Sequence, residues 1–159
     1  MPVTIHHNKQ KEMYDFLRTH KVGVLATVSK GGEPDAAAIY FTVDHDLHVS
    51  FLTKTGTRKA HNLQHGKHAA LVVYDAGTQT TVQLRGEASQ ITDSAKANAL
   101  FTEIIYTSLD TSGVDVPPIS KLDEGDYVAY RLRPTEVRMA VFSHPKTGGY
   151  HQLFKTVEH

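Results

Sequence analysis

The sequence predicts a mainly β domain in which antiparallel strands close into a barrel, with short helices inserted at two or three places. Apolar and β-branched residues fall into about seven short runs of strand length. Most runs are separated by brief turns such as Gly31–Gly32 and Asp44–His45–Asp46. Antiparallel meanders of this kind close readily, because closure removes exposed edges.

Taken in order, Met13, Phe16 and Leu17 lie at helical spacing among charges, which predicts a short amphipathic helix from Asn8 to Arg18. VGVLATVS (Val22–Ser29) reads as a strand entering a hairpin turn, with its partner running from Asp35 to Val43. LHVSFL (Leu47–Leu52) alternates as a third strand. The loop TGTRKAHNL (residues 55 to 63) follows, with a helix from about Arg58 to His65. AALVVYD (Ala69–Asp75) is another compact apolar run. In TTVQLRGEASQI (Thr80–Ile91), Val82 and Leu84 alternate with Gln83 and Arg85, and Gly86 predicts a bulge or a close backbone approach. A longer helix opens near Asp93 as N-cap, with Leu100, Phe101, Ile104, Ile105 and Leu109 on its apolar face. The stretch from Asp110 to Gly125 breaks the pattern. Two last strands, Tyr127–Leu132 and Glu136–Phe142, precede a polar tail over residues 143–159. Residues 1–159 read as a single domain, with a helical N-terminal segment over residues 1–20.

Composition narrows the function. A chain of 159 residues has the length of one domain. Its 17 Lys and Arg balance 17 Asp and Glu, so no global field holds a polyanion, which argues against a general nucleic-acid binder. The lack of cysteine excludes disulfides, thiol catalysis and cysteine-ligated metal centres. The N-terminal segment has no apolar core of signal-peptide length and no stretch is long enough to span a bilayer, so the expected compartment is the cytoplasm, with no membrane partner.

The chemistry concentrates in TGTRKAHNL. A helix start offers unpaired N–H groups and a positive dipole end, and threonine, arginine and lysine suit phosphate. An Arg58–Lys59 pair is otherwise out of place there, because the first turn favours anions in sequence terms. An exposed basic first turn with Thr57 as a plain cap explains the same residues, and chemistry alone leaves both readings open. His61 and His65 make H-x-x-x-H near His68, but position 62 is Asn rather than Glu, and no metal site is expected. No nucleophile elbow occurs, and the twin glycines read as turns. No catalytic side chain is assigned.

The order VLATVSKGGEPDAAAIYF, LHVSFLTKTGTRKAHNL, ALVVYD, VQLRGEASQI and RPTEVRMAVF resembles the pyridoxamine 5′-phosphate oxidase-like, FMN-binding split β-barrel superfamily. The resemblance covers roughly Val22 to Phe142. It implies a Greek-key-like split barrel and a homodimer with flavin at the interface. It also implies that Thr53, Thr57, Arg58 and Lys59 hold the FMN phosphate, with Leu52 where that oxidase has tyrosine. The strand through Ala37, Ala38, Ile39 and Tyr40 would run along the isoalloxazine, and Gln83 would reach the cofactor, from this subunit or the other.

The chain departs from pyridoxamine phosphate oxidase proper at two places. Ala37 and Thr42 stand where that oxidase has basic residues, and there is no tryptophan near the C-terminus to precede an arginine–histidine clasp. The vitamin B6 phosphate site is therefore not expected. The resemblance implies an FMN-dependent oxidoreductase with a different small-molecule substrate. F420 on the same fold is an alternative, as is a non-catalytic flavin- or haem-binding, stress-related role. Tyr150 and His151 in the tail are candidates for shaping substrate access, although so polar a tail is also ordinary surface.

Overall fold

The computed structural model of the chain describes residues 3–112, 126–142 and 154–158. Its strands are β1 (Val22–Val28), β2 (Pro34–Val43), β3 (Val49–Lys54), β4 (His68–Asp75), β5 (Thr80–Gln90), β6 (Tyr127–Val141) and β7 (Phe154–Glu158). The order β3-β2-β1-β4-β5-β6 closes because β6 also pairs with β3, so six antiparallel strands form the barrel. β7 lies outside that circuit, added to the far half of β6. The period-2 burial pattern turns Leu25 and Thr27 of β1 inward and Val24, Ala26 and Val28 outward. Phe41, Phe51, Leu71, Leu84 and Leu132 fill the interior.

Two three-stranded meanders make this barrel, and the link between them decides where the site lies. β3 ends beside β2, whereas β4 begins beside β1. The chain must therefore cross the ends of β2 and β1, and helix α2 (Arg58–His65) makes that crossing, packed on β1, β2 and β3. Helix α1 (Val3–His20) packs by the opposite ends of β1 and β2, where the amide of Phe41 donates to the carbonyl of Lys21 at 3.0 Å. Its Met13 and Leu17 are fully buried in the barrel core. Helix α3 (Ser94–Ser112) lies outside the barrel wall, where Leu100 and Ile104 bury Leu52 and Ala129. Asp93 caps it, accepting from the Lys96 amide at 3.0 Å.

The expected barrel is present, with three differences from the expected elements. Leu47 does not begin the third strand. Its φ is 62°, in the left-handed region, and Asp44 Oδ1 caps the turn by accepting from the amides of Asp46 and His48. The two last strands are one, β6, which pairs with β3 up to Leu132 and with β7 from Glu136. Pro134 lacks a donor, but it falls where β6 changes neighbours, opposite the register shift at Arg85/Gly86. Thr135 is the extra residue of that shift, and its hydroxyl donates to the Arg85 carbonyl at 3.2 Å. The third difference is in the expected tail, where residues 154–158 form β7; Tyr150 and His151 lie outside the described residues.

Gly86 is required by this corner. A Cβ there would stand 2.0 Å from the Arg133 carbonyl oxygen and 2.7 Å from Pro134 Cα, both backbone. Gly86→Ala is therefore expected to cost about 3 kcal/mol or more in a urea melt, since neither atom can step aside. An unchanged midpoint would contradict this account of the corner.

Candidate functional site

The crossing from β3 into α2 is built by hydroxyls. Lys54 to Thr57 form a turn, with the Thr57 amide donating to the Lys54 carbonyl at 3.4 Å and Gly56 at φ 82°, a conformation that favours glycine. Thr57 is the N-cap: its hydroxyl donates to the Lys54 carbonyl at 3.0 Å and accepts from the Ala60 amide at 3.3 Å. Since that proton is committed, the Thr53 hydroxyl is the donor in the 2.8 Å contact between the two threonines. The first-turn amides of Arg58 and Lys59 have no acceptor among the described residues.

Three polar groups beneath α2 fix its position. Thr27 and Asp35 face each other across the β1–β2 hairpin. Asn62, only 3% exposed, donates to Thr27 Oγ1 at 3.0 Å and to Asp35 Oδ2 at 2.9 Å. Both amide hydrogens of a buried asparagine are thereby used, and α2 is tied to two strands at once.

A cleft of about 260 Å³ opens beside this tie, lined by Leu25, Thr27, Asp35, Ala37, Arg58 and Lys59 and reaching Ala36. Arg58 is 87% exposed, and its guanidinium is 3.5 Å from Asp35 Oδ1. Lys59 is partly buried and makes no ion pair among the described residues. Burial alone lowers its pKa from the ordinary 10.5. A half-buried cation without a counter-ion, beside two open amides and an arginine, is a place that favours an anion.

Ala36 also borders a second, larger hollow of about 570 Å³ on the outer wall of β1, β4, β5 and β6. Its floor is a cross-strand row in which Val24 pairs with Val72 and Val72 with Gln83, and the row continues past the hollow to Ala38, the partner of Val24. Val24 and Val72 are 41% and 37% exposed, and Gln83, Arg85, Glu136 and Arg138 rim the row. A volume of this size falls in the range of small-molecule sites, roughly 300–1,000 Å³.

The expected site residues divide accordingly. Arg58, Lys59 and Ala37 meet at the cleft, while Thr57 caps the helix start behind them and Thr53 braces Thr57 from inside the barrel. Ala38 and Gln83 belong to the outer row. Three side chains turn elsewhere. Ile39 is in the barrel core, Tyr40 packs beneath α3, and Leu52 is buried against Leu100 and Ile104 on the face opposite Thr53. Sequence reasoning missed Asp35, Thr27 and Asn62. Their signal was present: the hairpin alternation puts Thr27 and Asp35 at inward positions opposite one another, where apolar residues are the rule.

His61 and His65 are exposed, their rings edge to face at 4.6 Å. Among the described residues the set able to reach one metal ion is Asp44, Asp46 and His48. The guanidinium of Arg131 already donates to Asp44 and to His48 there.

A sequence profile of the family described as "Pyridoxamine 5'-phosphate oxidase" matches residues 10–140. The chain belongs to this family. Its placement is with the pyridoxamine 5′-phosphate oxidase-like proteins rather than with that oxidase proper. No curated protein sequence matches the chain. Among solved structures, a haem-binding protein from Mycobacterium smegmatis superposes at TM-score 0.68 with 19% identity, covering 94% of this chain and 57% of its own. A general stress protein 26-related protein of the pyridoxinephosphate oxidase family, from Clostridium acetobutylicum, gives 0.68 at 18%, covering 96% and 95%. A pyridoxamine 5′-phosphate oxidase-related, FMN-binding protein from Nostoc punctiforme gives 0.58 at 15%, covering 95% and 93%. Identities this low establish the shared fold of these pyridoxamine 5′-phosphate oxidase-like chains. No helix among the described residues is long and apolar enough to cross a membrane.

The lowered pKa of Lys59 carries a pH signature. Between that value and 10.5 the unfolded chain binds more protons than the folded one, so this group's contribution to stability rises with pH. An anion beside the ammonium reverses the shift, so binding takes up a proton and weakens as pH rises through the window. Above the range in which phosphate itself titrates, its affinity should therefore fall as pH rises toward 10.5, and stay flat in Lys59→Arg, because arginine keeps its charge. Equal slopes in the two proteins would contradict the assignment of Lys59.

Proposed function

We propose that this chain is an FMN-binding flavoprotein that works as an oxidoreductase in a homodimer. The observation that carries the reading is Lys59, half-buried and unpaired at the start of α2, next to Arg58 and two open amides. These groups suit a phosphate monoester, which takes charge-assisted hydrogen bonds from lysine, arginine and backbone N–H. The residues present thus fit FMN. Lys59 and Arg58 would hold its phosphate together with the open amides of the helix start that Thr57 and Thr53 shape, and the row through Ala38, Val24 and Val72 offers an apolar floor ending at Gln83. When bound, FMN supplies hydride and electron transfer between a reduced donor and a small-molecule acceptor. The chain's own part is to clamp the phosphate, exclude water from one face of the site and present Gln83 at its edge.

The outer row also supports a dimer. Exposed Val24 and Val72 lie among alanines, whose small side chains let another surface approach closely, and a second copy would cover them. Haem is the second reading, favoured by the Mycobacterium smegmatis haem-binding relative. Among the described residues, however, no histidine, methionine or tyrosine lines either hollow to offer iron an axial ligand. F420 presents its phosphate differently and is separated from FMN by spectrum.

Size-exclusion chromatography with absorbance detection tests both halves of the proposal. The wild-type chain should elute at dimer mass with a flavin spectrum that a nicotinamide donor bleaches. Val72→Asp, which puts a charge on the row, should elute as a monomer with most of the flavin lost. A Soret band in the wild type would favour haem, and a colourless protein that takes up no FMN would refute the flavin reading.

A further inference from the structure

Asp35 contributes the negative charge in the wall of the cleft that Arg58 and Lys59 open onto. Its carboxylate is held from below, where Oδ2 accepts from the buried amide of Asn62 at 2.9 Å. Oδ1 is 3.5 Å from the largely exposed Arg58, a loose contact by comparison. Lys59 shares the cleft yet makes no ion pair with it. The carboxylate is therefore fixed in place by Asn62, and Arg58 is free to turn to a ligand while Asp35 stays.

A bare anion drawn to Lys59 meets this fixed negative charge in the same small cleft, and the two repel. A phosphate carried on a chain with hydroxyls meets something different. An ionised carboxylate is an acceptor-only group with about four lone-pair positions, and Asn62 and Arg58 use only part of them. A chain hydroxyl can donate to Oδ1, which turns the unfavourable neighbour into a charge-assisted hydrogen bond.

We infer that Asp35 is a specificity-determining residue, which selects a phosphate borne on a hydroxylated chain over a bare anion by accepting a hydrogen bond from a chain hydroxyl. The inference rests on the flavin reading and gives the ribityl chain of FMN its partner. Asp35 thereby has two roles at one position, tying α2 to the barrel through Asn62 and reading the hydroxyl beside the phosphate.

The experiment titrates FMN, riboflavin and inorganic phosphate into the full chain and into Asp35→Asn. The amide keeps an oxygen for Asn62, removes the charge and turns a donor toward the cleft. Riboflavin, which has the hydroxyls without the phosphate, should bind about tenfold more weakly to the variant. Inorganic phosphate should bind more tightly. Affinities that do not move, or a loss of inorganic phosphate binding alongside that of riboflavin, as a purely structural role would produce, overturn the inference. A ligand-side comparison needs no variant to fold: a flavin bearing a phosphopentyl chain without hydroxyls should bind the wild type about tenfold more weakly than FMN. Equal binding overturns the inference. If the wild type binds neither FMN nor riboflavin, the flavin reading falls and this inference with it. If it binds both and Asp35→Asn leaves every probe unmoved, only the role of Asp35 falls.

Discussion

Everything at this site depends on one buried amide. Asn62 sits on the inward side of α2 and gives its two hydrogens to Thr27 and Asp35. Without that bridge, α2 would rest on the barrel end through Ala60 and Leu63 alone, free to shift or rotate. A hydrogen bond to a carboxylate contributes about 1.5–3 kcal/mol, and leaving either partner buried and unpaired costs a similar amount. The bridge therefore sets the orientation of the helix start, and with it the direction in which the Arg58 and Lys59 amides and side chains point.

Topology supplies the other half of the constraint. Two meanders that share one barrel need a crossing, and the crossing must run over the ends of β2 and β1. Those ends are where Thr27 and Asp35 stand. The phosphate-favouring helix start is thus put next to the outer wall by the same connection that lets the barrel close, and Ala36 joins cleft and outer hollow. The chain has no net charge, so attraction for an anion is local, made of two cations and one carboxylate in one cleft.

Much of this was legible in the sequence. The strand that becomes β1, the hairpin at Gly31–Gly32 and the limits of α2 followed from periodicity and turn chemistry. So did the bulge at Gly86, a glycine inside an otherwise regular strand. What local pattern could not supply is pairing across the sheet. Pro134 looks like a strand breaker until β6 is seen to change neighbours there, opposite the space that Gly86 leaves. The resemblance sets Leu52 where the oxidase has tyrosine, and the strand's alternation sends it outward, beneath α3, while Thr53 turns in. Asp35 and Asn62 went unread for the same reason, since they are 27 residues apart and become one feature only when α2 crosses the hairpin.

The central claim is that the start of α2 holds a phosphate, with Lys59 as its main charge. The most direct measurement is the affinity of FMN against that of riboflavin, for the wild-type chain and for Lys59→Met. The account predicts FMN tighter by about 100-fold in the wild type, and a gap smaller by about tenfold or more in the variant, with riboflavin affinity unmoved. Equal affinities for FMN and riboflavin in the wild type would contradict it.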